Sequence, residues 1–213
     1  NTYMVGLLGS ALPGVVFGLA LAAPPGPMNA VIAEESVVRG WTSGFAAGLG
    51  AMTADAVFFA LALVGVIAVV QQYPALEAGL FAVGGLLMLY YAYGAVREAG
   101  SFSDADAADG RGFRKAFVLA LANPYQVTWW LTAGVALLDP GQVSALGYSL
   151  PAANGALTVT GFFGGILVWI TVFPASLRAA GERVDAFGTA VAYASAVVLA
   201  LFGFAFLGTA VGV

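Results

Sequence analysis

The sequence predicts an all-α integral membrane protein, and three observations carry that prediction. The chain has 213 residues, 61% of them hydrophobic and 8% charged, where soluble domains carry about 25% charged residues. Its mean hydropathy is +0.95. Stretches such as Val57–Val70 and Ala194–Val213 are apolar all round. A membrane barrel would alternate apolar and polar residues instead, so helices are expected.

A span needs ~20 apolar residues to cross a hydrocarbon core of roughly 30 Å, which leaves room for about six. The first is expected over 5–33, interrupted by Pro24-Pro25-Gly26-Pro27, and the second over 42–70, closed by Gln71-Gln72-Tyr73-Pro74. The third covers 76–96. The stretch 97–115, rich in Gly, Ser and Asp, reads as a polar loop that includes Lys115, the chain's one lysine. The fourth span covers 116–138, interrupted by Asn123-Pro124, and Asp139-Pro140-Gly141 ends it as a turn. Residues up to 154 are weakly amphipathic, as at an interface. The fifth span covers 156–177, and the sixth runs from 187 to the C-terminus.

Charge tests this layout. Arg39 falls between spans one and two, Arg97, Arg111, Arg114 and Lys115 between three and four, and Arg178 and Arg183 between five and six. Every basic residue thus lies on one face, which the positive-inside rule makes cytoplasmic. Both termini are then expected outside a cell inner or plasma membrane. No cleavable signal peptide is read, since the first apolar stretch is long and ends in PPGP.

The halves look related: residues 1–100 hold three spans, 101–112 form a linker, and 113–213 hold three more. An odd number of spans per half places the halves in inverted orientation, each with a proline break in its first span. Proline removes an amide donor, and the freed backbone groups are tolerated in a bilayer only beside a cavity or a polar partner. Paired breaks point to a transporter site. The competing reading, a kink used for packing, fits one proline better than three in four residues. Gly26 is expected to give that break its backbone freedom. The GxxxG pairs Gly44/Gly48 and Gly161/Gly165 read as packing contacts, which leave a homodimer open.

Asp55 is the sharpest candidate site residue, an acid within the second apolar span. Its insertion costs about 2.5–3.5 kcal/mol, so it is expected to face the bundle interior and to take protons or a substrate ammonium. A structural acid beside a helix break is the alternative. Asn29 and Asn123 sit next to the breaks, fitted equally to satisfying backbone groups or binding substrate. Gln126 and Thr128 are expected near the same cavity. Glu34 and Glu35, with Arg39 one turn on, read as a solvated helix end, with an acidic vestibule as the alternative. The tryptophans read mainly as interface or packing residues, with one ring of Trp129-Trp130 expected to wall the cavity.

Absences narrow the class. There is no Cys and no His, which removes disulfides, thiol redox chemistry, transition-metal sites and imidazole relays. No phosphate-binding loop is present, and no cofactor is expected. Basic residues are too few for nucleic-acid binding. The net charge of −4 reads as solvated loop acidity. No cluster of catalytic groups suggests an enzyme.

The stretches PPGPMNAVIAEESVVRGWTSGFAAGLGAMTADAVFF (24–59) and GFRKAFVLALANPYQVTWW (112–130) together resemble the lysine exporter (LysE/RhtB) family of amino-acid exporters. The resemblance implies six spans in inverted repeats and export driven by the proton gradient. It carries over Pro25, Gly26, Pro27, Asp55, Asn123 and Pro124 as site residues. Met28 stands where many members have Asn, and Tyr125 where many have Lys, so lysine specificity is not implied. The partners expected are an amino acid, a coupling ion and the bilayer. The alternatives are export of a cation or another small metabolite on the same fold, a channel, and a membrane-embedded enzyme or assembly subunit.

Overall fold

In a computed structural model, residues 2–64, 73–98, 111–136, 143–145, 148–150, 155–183 and 186–212 are described. Among the described residues eight helices follow in order: α1 (Thr2–Ala22), α2 (Pro27–Arg39), α3 (Trp41–Leu63), α4 (Pro74–Glu98), α5 (Arg111–Leu121), α6 (Pro124–Ala136), α7 (Gly155–Gly181) and α8 (Phe187–Ala210). Between α6 and α7, strands β1 (Val143–Ala145) and β2 (Tyr148–Leu150) pair antiparallel, with Ser144 opposite Ser149. The segment expected to lie along an interface therefore holds a short hairpin. The turn expected at 139–141, the stretch 65–72 and the loop 99–110 fall outside the described residues.

Four of these helices, α3, α4, α7 and α8, are each long and apolar enough to cross a bilayer. Residues 11–22 of α1 together with α2 make a fifth crossing if the bent pair counts as one. Outward-facing residues such as Leu201 and Phe204 are as apolar as the buried Phe162 and Leu199, as helices surrounded by lipid require. The protein is thus a multi-pass membrane protein.

Both proline breaks interrupt a helix. The last bond of α1 runs from Ala23 N to Leu19 O at 2.9 Å. Pro24 and Pro25 then bring no amide to the ladder, and Pro27 starts α2 at an angle of 81° to α1. At the second break Asn123 separates α5 from α6, and Pro124 starts the new helix. Arg111, Arg114 and Lys115 belong to α5, so that helix begins inside the stretch read as a loop.

Three helix pairs dominate the packing: α1 with α7, α4 with α8, and α3 with α5. The α1–α7 seam is the tightest. Any Cβ at Gly14 or Gly18 would collide with the carbonyls of Thr158 and Phe162, and any at Gly161 or Gly165 with those of Ala11 and Val15. Two GxxxG pairs therefore interlock backbone to backbone, only one of which the sequence reading singled out.

The C-terminus of α2 and the starts of α3 and α5 meet at one end of the bundle. Glu34 of α2 pairs with Lys115 of α5, Glu35 with Ser43 of α3, and Gly40 lies beside the Arg178 guanidinium of α7. The link from α2 to α3 is the single residue Gly40, whose φ of 90° favours glycine.

Candidate functional site

Where the two breaks face α3, the bundle holds a partly open cavity of about 300 Å³, at the small end of the range for ligand pockets. Pro24, Pro25, Gly26, Pro27, Met28 and Asn29 line it from the first break, and Asn123, Tyr125, Gln126 and Trp129 from the second. Gly48, Ala51, Met52 and Asp55 line it from α3, with Ile166, Trp169 and Ile170 from α7 and Phe202 from α8.

Asp55 is 4% exposed and is the one acidic residue in this wall. Its Oδ1 accepts from Gln126 Nε2 at 2.5 Å and from Trp130 Nε1 at 2.9 Å. Both bonds fall on the same oxygen, and Oδ2 takes no hydrogen bond from the described residues. The carboxyl is thereby oriented by α6 while one oxygen stays available to a solute. Asp55 faces the bundle interior, as its apolar surroundings in sequence required.

The two asparagines differ in how they are used. Asn29 Nδ2 donates to the carbonyls of Ala22 at 2.7 Å and Pro24 at 2.8 Å, and its Oδ1 accepts from Trp169 Nε1 at 3.0 Å. It satisfies the backbone acceptors that the first break frees. Asn123 Oδ1 accepts from the Tyr125 amide at 3.1 Å, capping α6, while its Nδ2 donates to no described residue.

The helix starts differ in the same way. At α6, Asn123 takes the amides of Tyr125, Gln126 and Val127 on its side chain and carbonyl. At α2, no side chain caps the helix. Pro27 has no amide hydrogen, and Ala30 N bonds Gly26 O at 3.0 Å, leaving the amides of Met28 and Asn29 ahead of the helical ladder. A helix start of this kind suits a carboxylate.

Several expectations need correction. Gly26 has φ −174°, an extended conformation open to any residue, and a Cβ there would meet nothing within 4 Å; the break does not need its backbone freedom. Pro124 is buried but is absent from the cavity wall, as is Thr128, whose hydroxyl donates to the Pro124 carbonyl at 3.0 Å. Glu34 and Glu35 are no solvated helix end: they are 0% and 1% exposed. Lys115 Nζ lies 2.8 Å from Glu34 Oε2, Arg39 Nη1 lies 2.8 Å from Glu35 Oε1, and Ser43 Oγ donates to Glu35 Oε2 at 2.6 Å. An acidic vestibule is excluded too, because these carboxylates already have cationic partners. Lys115, read as a loop residue, lies in a helix with its side chain 12% exposed.

Both rings of the Trp129-Trp130 pair serve the site, Trp129 as wall and Trp130 as donor to Asp55. Trp169, read as an interface or packing residue, lines the cavity and holds Asn29. No signal in the sequence separates such a tryptophan from one at the headgroups. Among the described residues no group of three His, Cys, Asp or Glu side chains can hold a metal ion.

Residues 19–210 match the family described as LysE type translocator. The chain belongs to this family. The chain is 31% identical over 137 residues to the Uncharacterized membrane protein PA4757 of Pseudomonas aeruginosa, covering 60% of this chain and 62% of that protein. It is 26% identical to the Putative amino acid efflux protein YcgF of Bacillus subtilis, over 73% of this chain and 74% of the relative. Identity to the Leucine efflux protein of Salmonella typhimurium is also 26%, over 60% of this chain and 61% of the relative. The chain thus aligns with less than two thirds of the first and last of these relatives. No solved structure matches the translocator.

Proposed function

We propose that this translocator exports amino acids as a secondary transporter driven by the proton gradient. The carrying observation is the convergence of both helix breaks on one cavity with one acid, Asp55. The substrate carboxylate is received by the uncapped amides of Met28 and Asn29, with Asn123 Nδ2 as a further donor, and the ammonium by Asp55 Oδ2. The side chain lies against Met52, Ile166, Ile170 and Phe202. With a single carboxylate in the wall, nothing remains to hold a second positive charge, so the substrates are amino acids with uncharged, apolar side chains. The relatives with amino acid and leucine efflux in their names agree with this class.

In this reading the chain crosses the membrane six times, in two inverted repeats, with α1–α2 and α5–α6 as the broken first spans. The packing supports it. Exchanging the first three crossings for the last three turns the α1–α7 pair into the α3–α5 pair and returns α4–α8 to itself, and these are the three dominant pairs. The meeting of Arg39, Lys115 and Arg178 at one end of the bundle supports a cytoplasmic basic face with both termini outside.

Asp55 is the proton-coupling group, because a group that alternates between proton and substrate ammonium links their movements. The test is accumulation of radiolabelled leucine in inside-out vesicles, with and without an imposed proton gradient, in wild type and Asp55→Asn. Gradient-dependent accumulation that the variant lacks is expected. Equal accumulation in the variant would demote Asp55 to a structural acid. No accumulation of any amino acid by folded protein would overturn the reading.

A further inference from the structure

We propose that α2 is a gate between the cavity and the basic end of the bundle, latched shut by Lys115. The inference rests on the transport reading above and concerns the far end of α2, beyond the residues that face the cavity.

Seven consecutive residues of α2, Ala30–Ser36, are buried, so the middle of this short helix shows no face to lipid. It packs against α3, α5, α7 and α8 at once. A helix enclosed on every side fills the passage it occupies. Its position marks that passage: Met28, Asn29 and Ile32 face the cavity, and Glu34 and Glu35 follow at the basic end.

The connections of α2 also set it apart from α1. α1 packs on α7 backbone to backbone at Gly14, Gly18, Gly161 and Gly165. α2 joins α1 through residues 23–26 and through the bond from Asn29 Nδ2 to the Ala22 carbonyl. Its far end is held by close packing of Ser36 on Gly44 of α3 and by charge: Glu34 to Lys115 of α5, and Glu35 to Ser43 of α3, to Lys115 and to its own helix's Arg39. Gly112 of α5 gives Glu35 the room to sit there, since a Cβ at that position would come within 3.1 Å of Glu35 Oε2.

Ion pairs suit a reversible seal. A buried pair stabilises little more than apolar packing would, because both charges lose their water. When the seal opens, that loss is returned as the carboxylates and the ammonium rehydrate, whereas parted apolar surfaces would be exposed to water at full cost. The paired charges therefore hold two states close in free energy, one closed and one hydrated.

The chain has no cysteine, so a single introduced thiol reports on the cavity. The experiment places Met52→Cys in the cavity wall and measures its modification by a membrane-impermeant charged maleimide, from the basic face in inside-out vesicles and from the other face in spheroplasts. In Lys115→Gln, labelling from the basic face is expected to rise at least fivefold with no rise from the opposite face. Lys115→Arg, which keeps the cation, is expected to stay within twofold of the parent. Ser43→Ala removes one donor to Glu35 and leaves every charge in place, so it serves if Lys115→Gln is not recovered folded; a rise of about twofold from the basic face alone is expected. Unchanged labelling in the folded variants, or an equal rise from both faces, would overturn the gate. Because no substrate is present, a one-sided rise alongside absent amino-acid flux would sink the amino-acid reading and leave the gate standing.

Discussion

Trp130 Nε1 donates to Asp55 Oδ1 at 2.9 Å across 75 positions of sequence, and Gln126, one turn before it on α6, donates to the same oxygen. The carboxyl is thus fixed by the helix that starts at the second break. Asp55→Asn keeps the shape and removes the charge; concentrative transport is expected to fall by at least about 100-fold with normal membrane insertion, read by vesicle flux. Trp130→Phe removes one hydrogen bond to a charged group, of the kind that contributes ~1.5–3 kcal/mol. Substrate affinity is expected to weaken roughly tenfold or more on that scale, measured by competition with labelled substrate. Unchanged affinity in folded Trp130→Phe would show that the indole only packs.

The two asparagines should fail in opposite ways. Asn29→Ala strands the carbonyls of Ala22 and Pro24 and the indole of Trp169. The bonds to Ala22 and Trp169 are part-buried and that to Pro24 is exposed, so the loss is smaller than the about 1–3 kcal/mol for each fully buried unsatisfied group, and the thermal unfolding temperature in detergent is expected to fall modestly. Asn123→Asp keeps the oxygen that caps α6 and replaces the Nδ2 donor with a second carboxylate oxygen. Its melting temperature is expected to stay near wild type while affinity for a substrate carboxylate drops. A reversed pattern would exchange the structural and binding roles.

Two Gly→Ala changes separate packing from site. Gly18→Ala drives a methyl into the Phe162 carbonyl and is expected to part α1 from α7, with a large loss of thermal stability. Gly26→Ala places its methyl in open space on a backbone that alanine adopts, so stability should stay within about 0.5 kcal/mol. Any transport defect in Gly26→Ala then belongs to the cavity and not to folding.

Selectivity follows from the wall. Unlabelled leucine, isoleucine and methionine are expected to compete with labelled leucine at least tenfold better than lysine or arginine. Equal competition by lysine would mean that another group accepts its second charge.

Much of this organisation was legible in the chain because its causes are local. Proline breaks a helix wherever it removes an amide, so both interruptions could be placed, and an acid in an apolar helix must face inward, so Asp55 stood out. What escaped depends on partners far along the chain. Glu34 looked solvated because its counter-ion, Lys115, lies 81 positions away. Charged side chains also hid the start of α5, which begins at Arg111 because Lys115 is neutralised inside the bundle. Trp169 could not be told from a headgroup tryptophan, since only the fold brings it to Asn29.

The 81° elbow between α1 and α2 brings opposite poles of two peptide dipoles to one place. The carbonyl end of α1 carries partial negative charge, and the amide end of α2 partial positive charge. A solute with separated charges of both signs can lie antiparallel to this pair and be matched at each end. A simple cation or anion finds one favourable pole and one opposing one. Under the proposed function the elbow therefore favours a zwitterion over a lone ion, with Asn29 already holding the carbonyls of Ala22 and Pro24.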